Sequence, residues 1–229
     1  MGLGTHASEP AERRDFRVAR QRLIERLREA GVQDPRVLAA FESIDRHELI
    51  PEALRDQAYK MMPLPIGEGQ TISAPDVVAT MTEAAGLVGH ETVLEVGTGS
   101  GYQAAILSRL ASRVISIERI PKLAATARSA LDTLKVYNVI VHLGDGTQGR
   151  PADAPFDAIL VTAGGPEIPW PLLEQLCVGG RLIGPFGPRG KQELLRIVRQ
   201  PEGSEAPYTQ EVLAHCKFVD LIGANGWAE

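Results

Sequence analysis

The chain has 229 residues, 44% of them hydrophobic and 23% charged, which supports one large folded domain, or one domain carrying an appendage. A formal net charge of -5 argues against a general nucleic-acid or anionic-membrane binder. Cys177 and Cys216 belong to no C-x-x-C pair, so neither disulfide staples nor a metal site is expected, and no eighteen-residue apolar run predicts a membrane span.

Residues 1–10, MGLGTHASEP, lack the basic flank and apolar run of a secretory signal and are expected to be loose, with cytoplasmic residence the default. From Asp15 to Ala30, Phe16, Ala19, Leu23, Ile24 and Leu27 share one side of a predicted helix that Gly31 can close. Asp34–Pro35 starts a second helix with Val37, Leu38, Phe41 and Ile44 as its stripe, and Pro51–Leu54 adds to the helical character. Residues 1–60 are therefore expected to form a helical appendage ahead of a main domain over 61–229. Met61–Ser73 holds two prolines and two glycines and predicts an ordered loop. Ser73-Ala74-Pro75-Asp76 has the S-x-x-D spacing of a capping box, ahead of a helix that buries Val77, Val78, Met81 and Ala85 and ends at Gly86. The loop would thus deliver Thr71 and Ser73 to a helix amino terminus, where free N–H groups favour anions.

Beyond it the chain alternates as a doubly wound domain does. Val93–Val96, Val114–Ile117, Val139–Leu143 and Phe156–Val161 read as parallel strands, separated by helices over Tyr102–Leu110 and Pro121–Leu134. A short helix over Ile168–Leu176 and strands over Arg181–Ile183, Glu193–Val198 and Glu211–Val219 complete the prediction.

The turn after the first of these strands is Glu95-x-Gly97-x-Gly99-x-Gly101, and Tyr102 stands where the dinucleotide fingerprint requires its third glycine. No G-K-[ST] ending is present either, which opposes a P-loop. Glu95 can meet a ligand ammonium directly or through water, and Glu118, at the end of the next strand, can accept from both ribose hydroxyls. Gly144-Asp145-Gly146 ends the third strand, where Asp145 can accept from an adenine amine and the Gly146 N–H can face a ring nitrogen. A ribonucleoside with amino-acid charges fits this set better than a pyrophosphate does, and S-adenosyl-L-methionine is such a molecule.

PLPIGEGQTISAP at Pro63–Pro75, VLEVGTGSGYQAAIL at Val93–Leu107, ISIER at Ile115–Arg119, GDG at Gly144–Gly146, APFDAILVTAGG at Ala154–Gly165 and QLCVGGRLIGPFG at Gln175–Gly187 together resemble the protein-L-isoaspartate (D-aspartate) O-methyltransferases. The glycine pattern identifies only the cofactor class, whereas GEGQTIS is much narrower. IDRHELIP at Ile44–Pro51 is similar to that family's V-P-R-H-x-F-V-P with Asp45 in place of proline; Lys60–Met61 stands where an acidic or amide residue is common, and Asp220 where another proline is usual.

The resemblance implies an α/β fold of the class I S-adenosylmethionine-dependent type, Rossmann-like, with a mostly parallel seven-stranded sheet and the helical appendage. It implies methyl transfer to the free α-carboxylate of L-isoaspartyl residues in damaged proteins and peptides, with S-adenosyl-L-homocysteine as product. Ser73 falls at the family's active-site serine, and Gly97, Glu118 and Asp145 fall in its cofactor positions. An ionised carboxylate needs no general base, so Ser73 is expected to orient it by donating a hydrogen bond, with Thr71 donating or bracing the loop and Gln70 holding a peptide group. His47 is expected to be structural, while Pro166 and Trp170 line the substrate mouth or pack. A monomer acting on peptides, without nucleic-acid or membrane partners, is expected. The rival readings are another class I methyltransferase, for a small molecule or nucleic acid, and a cofactor-binding module without turnover.

Overall fold

The computed structural model describes residues 15–228, so the expectation for residues 1–10 lies outside the described residues. Helices α1 (Arg17–Glu29) and α2 (Pro35–Ser43) form where the apolar stripes predict them, and Asp34 caps α2 by accepting the Arg36 N–H at 2.8 Å. Two short 3-10 turns, Arg46–Leu49 and Glu52–Gln57, follow.

The predicted loop over Met61–Ser73 is instead built around a two-stranded antiparallel hairpin, β1 (Leu64–Gly67) and β2 (Gln70–Ile72). Its two-residue turn is Glu68–Gly69, both at positive φ (52° and 69°), the conformation that matches the twist of a tight hairpin. Pro65 is tolerated because this ribbon has only two strands and both are edges. Helix α3 (Pro75–Ala85) follows and ends at Gly86 in the left-handed region, as the sequence suggests. Its N-cap is Ala74, with no side-chain cap. The capping-box expectation for Ser73 therefore fails; Pro75 at the first helical position has no N–H, which leaves one fewer donor to satisfy.

The main sheet contains β3 (Thr92–Val96), β4 (Arg113–Glu118), β5 (Val139–Leu143), β6 (Phe156–Val161), β7 (Leu176–Phe186), β8 (Gln192–Arg199) and β9 (Tyr208–Cys216), in spatial order β5-β4-β3-β6-β7-β8-β9. The first five in that order run parallel, and β8 is antiparallel to both its neighbours. Helices α4 (Tyr102–Leu107), α5 (Pro121–Thr133) and α6 (Trp170–Glu174) intervene. Helix α4 stops three residues before the predicted end because Arg109 and Leu110 donate to the carbonyls of Ile106 and Leu107, tightening the last turn. Strand β7 is much longer than the predicted Arg181–Ile183: pairing with β8 carries it through Gly184 to Phe186, while at its start Leu176 pairs with Phe156 and the register with β6 shifts before Arg181, across Gly179 and Gly180. The last strand begins earlier than predicted and ends at Cys216. Val219–Leu221 instead bonds to Gly164, just beyond β6, so the chain end crosses the carboxyl edge of the sheet.

Side chains alternate across the parallel strands. Val93, Val114, Ala158 and Leu160 face a core that also holds Leu23, Leu27 and Phe41 of the appendage with Tyr102 and Ile106. Leu94, Val96, Ile115, Ile117, Ile159 and Val161 face the other core, with Phe156, Leu172 and Phe186. Strand β3 lies where the chain departs in both directions, to β4 and to β6, and in open α/β sheets a ligand crevice forms at the carboxyl ends of strands at such a point.

Candidate active site

That crevice is a cleft open to solvent. One wall is the turn after β3, where Gly97 has φ 99° and its carbonyl accepts the Thr162 hydroxyl at 2.6 Å. A Cβ on Gly97 would lie 2.5 Å from Thr162 Oγ1, so both the backbone conformation and the space demand glycine. At the floor, a Cβ on Gly146 would lie 2.5 Å from a Val96 methyl. Gly97, Gly99, Ser100, Glu118 and Gly146 line the cleft on this side; Gln70, Thr71, Ile72 and Ser73 line it from the hairpin; Val219–Ile222 border it from the chain end.

Glu118 is buried at the end of β4, its Oε2 accepting the Gly99 N–H at 2.8 Å and its Oε1 the Ile120 N–H at 2.9 Å. Each oxygen keeps a lone pair, so the carboxylate is fixed in place without being saturated.

Three of the residues singled out in the sequence are not on the cleft wall. Gly101 is the N-cap of α4, and a Cβ there would touch Ala127 and Leu131 of α5, so it serves helix packing. Glu95 is wholly buried beneath the turn: it accepts from Ser116 Oγ, Ser116 bonds Thr98, and Thr98 lines the cleft. Burial pushes its carboxyl up to about 8 despite the Ser116 bond, and its Oε1 has no hydrogen-bond partner among the described residues. A direct contact between Glu95 and a ligand ammonium is therefore not what the geometry offers; a link through Ser116 and Thr98 is. Asp145 faces a neighbouring depression, and its carboxylate accepts Thr147 N–H and Oγ1 at 2.9 and 2.7 Å, Ala224 N–H at 2.8 Å and Gln148 Nε2 at 3.3 Å. Burial alone would raise its pKa, but the bonds from Ala224, Thr147 and Gln148 outweigh that and hold it below its usual value. The carboxylate expected to meet adenine here ties down the chain end.

Ser73 is half-buried on the hairpin side, and its hydroxyl makes no hydrogen bond among the described residues, while its carbonyl accepts Arg46 Nη2 at 2.9 Å. Thr71 is exposed, and Gln70 donates to the Glu68 carbonyl at 3.3 Å. Thr98, Ser100 and Val219–Ile222 also line the cleft, a placement the sequence did not reveal. His47 bonds the Tyr59 hydroxyl at 2.8 Å and stacks on Phe16, a structural arrangement. Trp170 meets Tyr208 edge-on, away from the cleft wall.

Comparisons with known proteins agree with this architecture. Residues 18–226 match the family described as Protein-L-isoaspartate(D-aspartate) O-methyltransferase (PCMT). The chain is 53% identical over 214 residues to the protein-L-isoaspartate O-methyltransferase of Syntrophus aciditrophicus, covering 93% of this chain and 98% of that one. It is 50% identical over 209 residues to that of Methanoculleus marisnigri, with 91% and 93% covered. Among solved structures, a protein-L-isoaspartate O-methyltransferase superposes with a TM-score of 0.80 at 30% identity, over 90% of this chain and 67% of that chain. A Plasmodium falciparum chain described as a protein-L-isoaspartate O-methyltransferase, crystallised with S-adenosyl-L-homocysteine, gives 0.75 at 25% identity over 89% and 98%. With family model, relatives and fold in accord, the chain belongs to the protein-L-isoaspartate (D-aspartate) O-methyltransferase family.

Proposed function

We infer that this chain transfers a methyl group from S-adenosyl-L-methionine to the free α-carboxylate of L-isoaspartyl residues in damaged proteins and peptides, the first step of their repair. The observation that carries the placement of the chemistry is the uncommitted Ser73 hydroxyl facing the same cleft as the Gly97–Gly99 backbone and the Glu118 carboxylate. The donor side fits a nucleoside: Glu118 keeps acceptor capacity for ribose hydroxyls, and the Gly97, Gly99 and Gly146 backbone lines the cleft beside it without side chains. When bound, the cofactor supplies a methyl carbon on a sulfonium whose leaving group is a neutral thioether.

An α-carboxyl group has a reference pKa near 3.5, so the acceptor arrives ionised and no general base is required. The chain's task is to hold the acceptor oxygen in line with the methyl carbon, about 3–3.5 Å away, with water excluded. Ser73 Oγ donates to that carboxylate, Thr71 donates or braces the hairpin, and Gln70 holds the peptide. Gly97, Gly99, Ser100, Glu118 and Gly146 hold the donor, with Glu95 and Gly101 supporting the turn from behind and Asp145 securing the chain end over the β5 edge. We read 61–229 as the methyltransferase domain and 1–60 as the appendage, in which Arg46 braces the acceptor side through the Ser73 carbonyl. We read the chain as a cytoplasmic monomer acting on peptides, not on nucleic acid or membranes; among the described residues no helix is long and apolar enough to cross a membrane.

The test is incorporation of labelled methyl into an isoaspartyl peptide and into its normal aspartyl twin. Label in the first alone is expected. Equal labelling, or none from a folded protein that binds S-adenosyl-L-homocysteine, would overturn the substrate assignment.

A further inference from the structure

The largest wholly buried side chain among the described residues is charged. Arg46 sits in the 3-10 turn of the appendage, fully enclosed. Its Nε donates to the Ala58 carbonyl at 2.7 Å and its Nη2 to the Ser73 carbonyl at 2.9 Å, and its guanidinium lies 4.5 Å from the centroid of the Tyr102 ring. No carboxylate comes within ion-pair distance of it among the described residues, and its Nη1 has no hydrogen-bond partner. Asp76, in the first turn of α3, favours the cation from farther away, and its own buried Oδ1 is unpartnered as well. An enclosed cation without a contacting anion is costly, and such groups are ordinarily paired. Here the two residues that Arg46 touches on the inner side, Ser73 and Tyr102, both line the cleft.

We propose that Arg46 is a positioning residue for the acceptor: it fixes Ser73 through the serine carbonyl and supplies, from behind the cleft wall, the positive potential that selects an anionic acid over its neutral counterpart. This rests on the reading that the isoaspartyl carboxylate docks at the Ser73 hydroxyl.

The reaction explains why the cation stands one layer back. As the carboxylate oxygen bonds to the methyl carbon and the carbon–sulfur bond breaks, its electron pair passes to sulfur, and a negative and a positive charge both disappear. A cation touching the attacking oxygen would stabilise the ground state more than the transition state and slow the transfer. Held behind the Ser73 backbone and the Tyr102 ring, Arg46 favours capture of the acid and loses its attraction once the neutral ester has formed. Capture and release are then served by one fixed charge.

The experiment measures binding of two peptides to the protein loaded with S-adenosyl-L-homocysteine: an isoaspartyl peptide, and the same peptide with an α-carboxamide in place of the α-carboxylate. Wild type should prefer the acid by roughly tenfold or more, the scale of one charge-dependent contact. Arg46→Met keeps the bulk and removes the charge, so the preference should collapse toward unity while homocysteine-product affinity stays within about twofold. Arg46→Lys keeps the charge but not the planar fork that spans two carbonyls, so the acid preference should persist while the single-turnover rate falls. Equal weakening of acid and amide in Arg46→Met would mean simple bracing and overturn the proposal. If Arg46→Met does not fold, loss of the preference in Arg46→Lys overturns it equally. A wild-type protein that methylates isoaspartyl peptides yet shows no acid preference contradicts the inference alone; one that methylates none removes the acceptor reading beneath it.

Discussion

The two sides of the cleft are held by different means. On the donor side, backbone geometry decides: a left-handed glycine at the end of a central parallel strand, and a carboxylate pinned by two N–H groups of neighbouring segments. On the acceptor side, side chains from separate parts of the chain decide, with Arg46 reaching from the appendage to a hairpin 27 residues later and the chain end closing over from beyond β9. A site fixed by backbone tolerates little change at its glycines. A site assembled from distant side chains can lose orientation while its fold and its donor affinity remain.

The sharpest way to break the donor side is Gly97→Val. The added Cβ would meet Thr162 Oγ1 at 2.5 Å in a backbone conformation that β-branched residues avoid. Strain and overcrowding of a few kcal/mol together predict a loss of S-adenosyl-L-homocysteine affinity of about 100-fold or more by calorimetry. Affinity within threefold of wild type, to order of magnitude, would show the turn to be less constrained than this. Glu118→Gln is the milder cut. The amide retains one acceptor where the carboxylate has two, so one of the bonds from Gly99 and Ile120 is lost along with the charge, and affinity should fall roughly tenfold with no change in acid-over-amide peptide preference. A change in that preference would mean that the two walls are not independent.

Glu95 tests the support beneath the turn. Because burial holds its carboxyl at about 8 against a usual 4.5, the folded chain keeps a proton there that the unfolded chain has lost across that window. The Glu95 contribution to wild-type stability should therefore fall as pH rises from about 4.5 toward about 8, so that Glu95→Gln, which cannot ionise, should gain on wild type over the same range. Denaturant midpoints at about pH 5 and about pH 8 measure this, and a constant offset between the two proteins would contradict it. The smallest effect is expected from Ala224→Pro, which removes the N–H that Asp145 Oδ2 accepts. A loss of about 1 kcal/mol and faster amide exchange at Asn225 and Trp227 should follow, and unchanged exchange would mean the chain end is held by Trp227 and Leu221 alone.

The donor side was also the more legible in the sequence, for the same physical reason. A buried parallel strand is a run of Val, Ile and Leu, and the turn that follows must spend its glycines at fixed spacing, so β3, the turn and Glu118 can be placed by counting. What counting could not see was depth. Glu95 and Gly97 are two residues apart, yet one carboxylate lies under the turn and only the glycine reaches the cleft. Asp145 stood at the expected strand end, but Ala224 N–H from a tail with no periodicity, together with Thr147 and Gln148, occupies its acceptor positions, and Gly223 packs against it.

The acceptor side was read through resemblance to a family more than through physics. Its hairpin was hidden by Pro65 and Gly69, which signal a loop unless Glu68–Gly69 is recognised as a two-residue turn. Ser73 looked like a cap because the spacing to Asp76 fits one, and only the observed Ala74 N-cap frees its hydroxyl for a ligand. Arg46 was visible only as the arginine of IDRHELIP, matched to the family's R-H pair: by local pattern an arginine after an amphipathic helix reads as surface, and its burial follows from contacts with Ala58, Ser73 and Tyr102 that no local pattern announces.

The most direct test of the division between the two walls is the single-turnover rate of methyl transfer to an isoaspartyl peptide in Ser73→Ala, measured beside its affinity for S-adenosyl-L-homocysteine. The account predicts a transfer rate lowered by about 100-fold, the scale of a misplaced reactant, with the affinity within about twofold of wild type. An unchanged rate accompanied by a collapse of that affinity would contradict it.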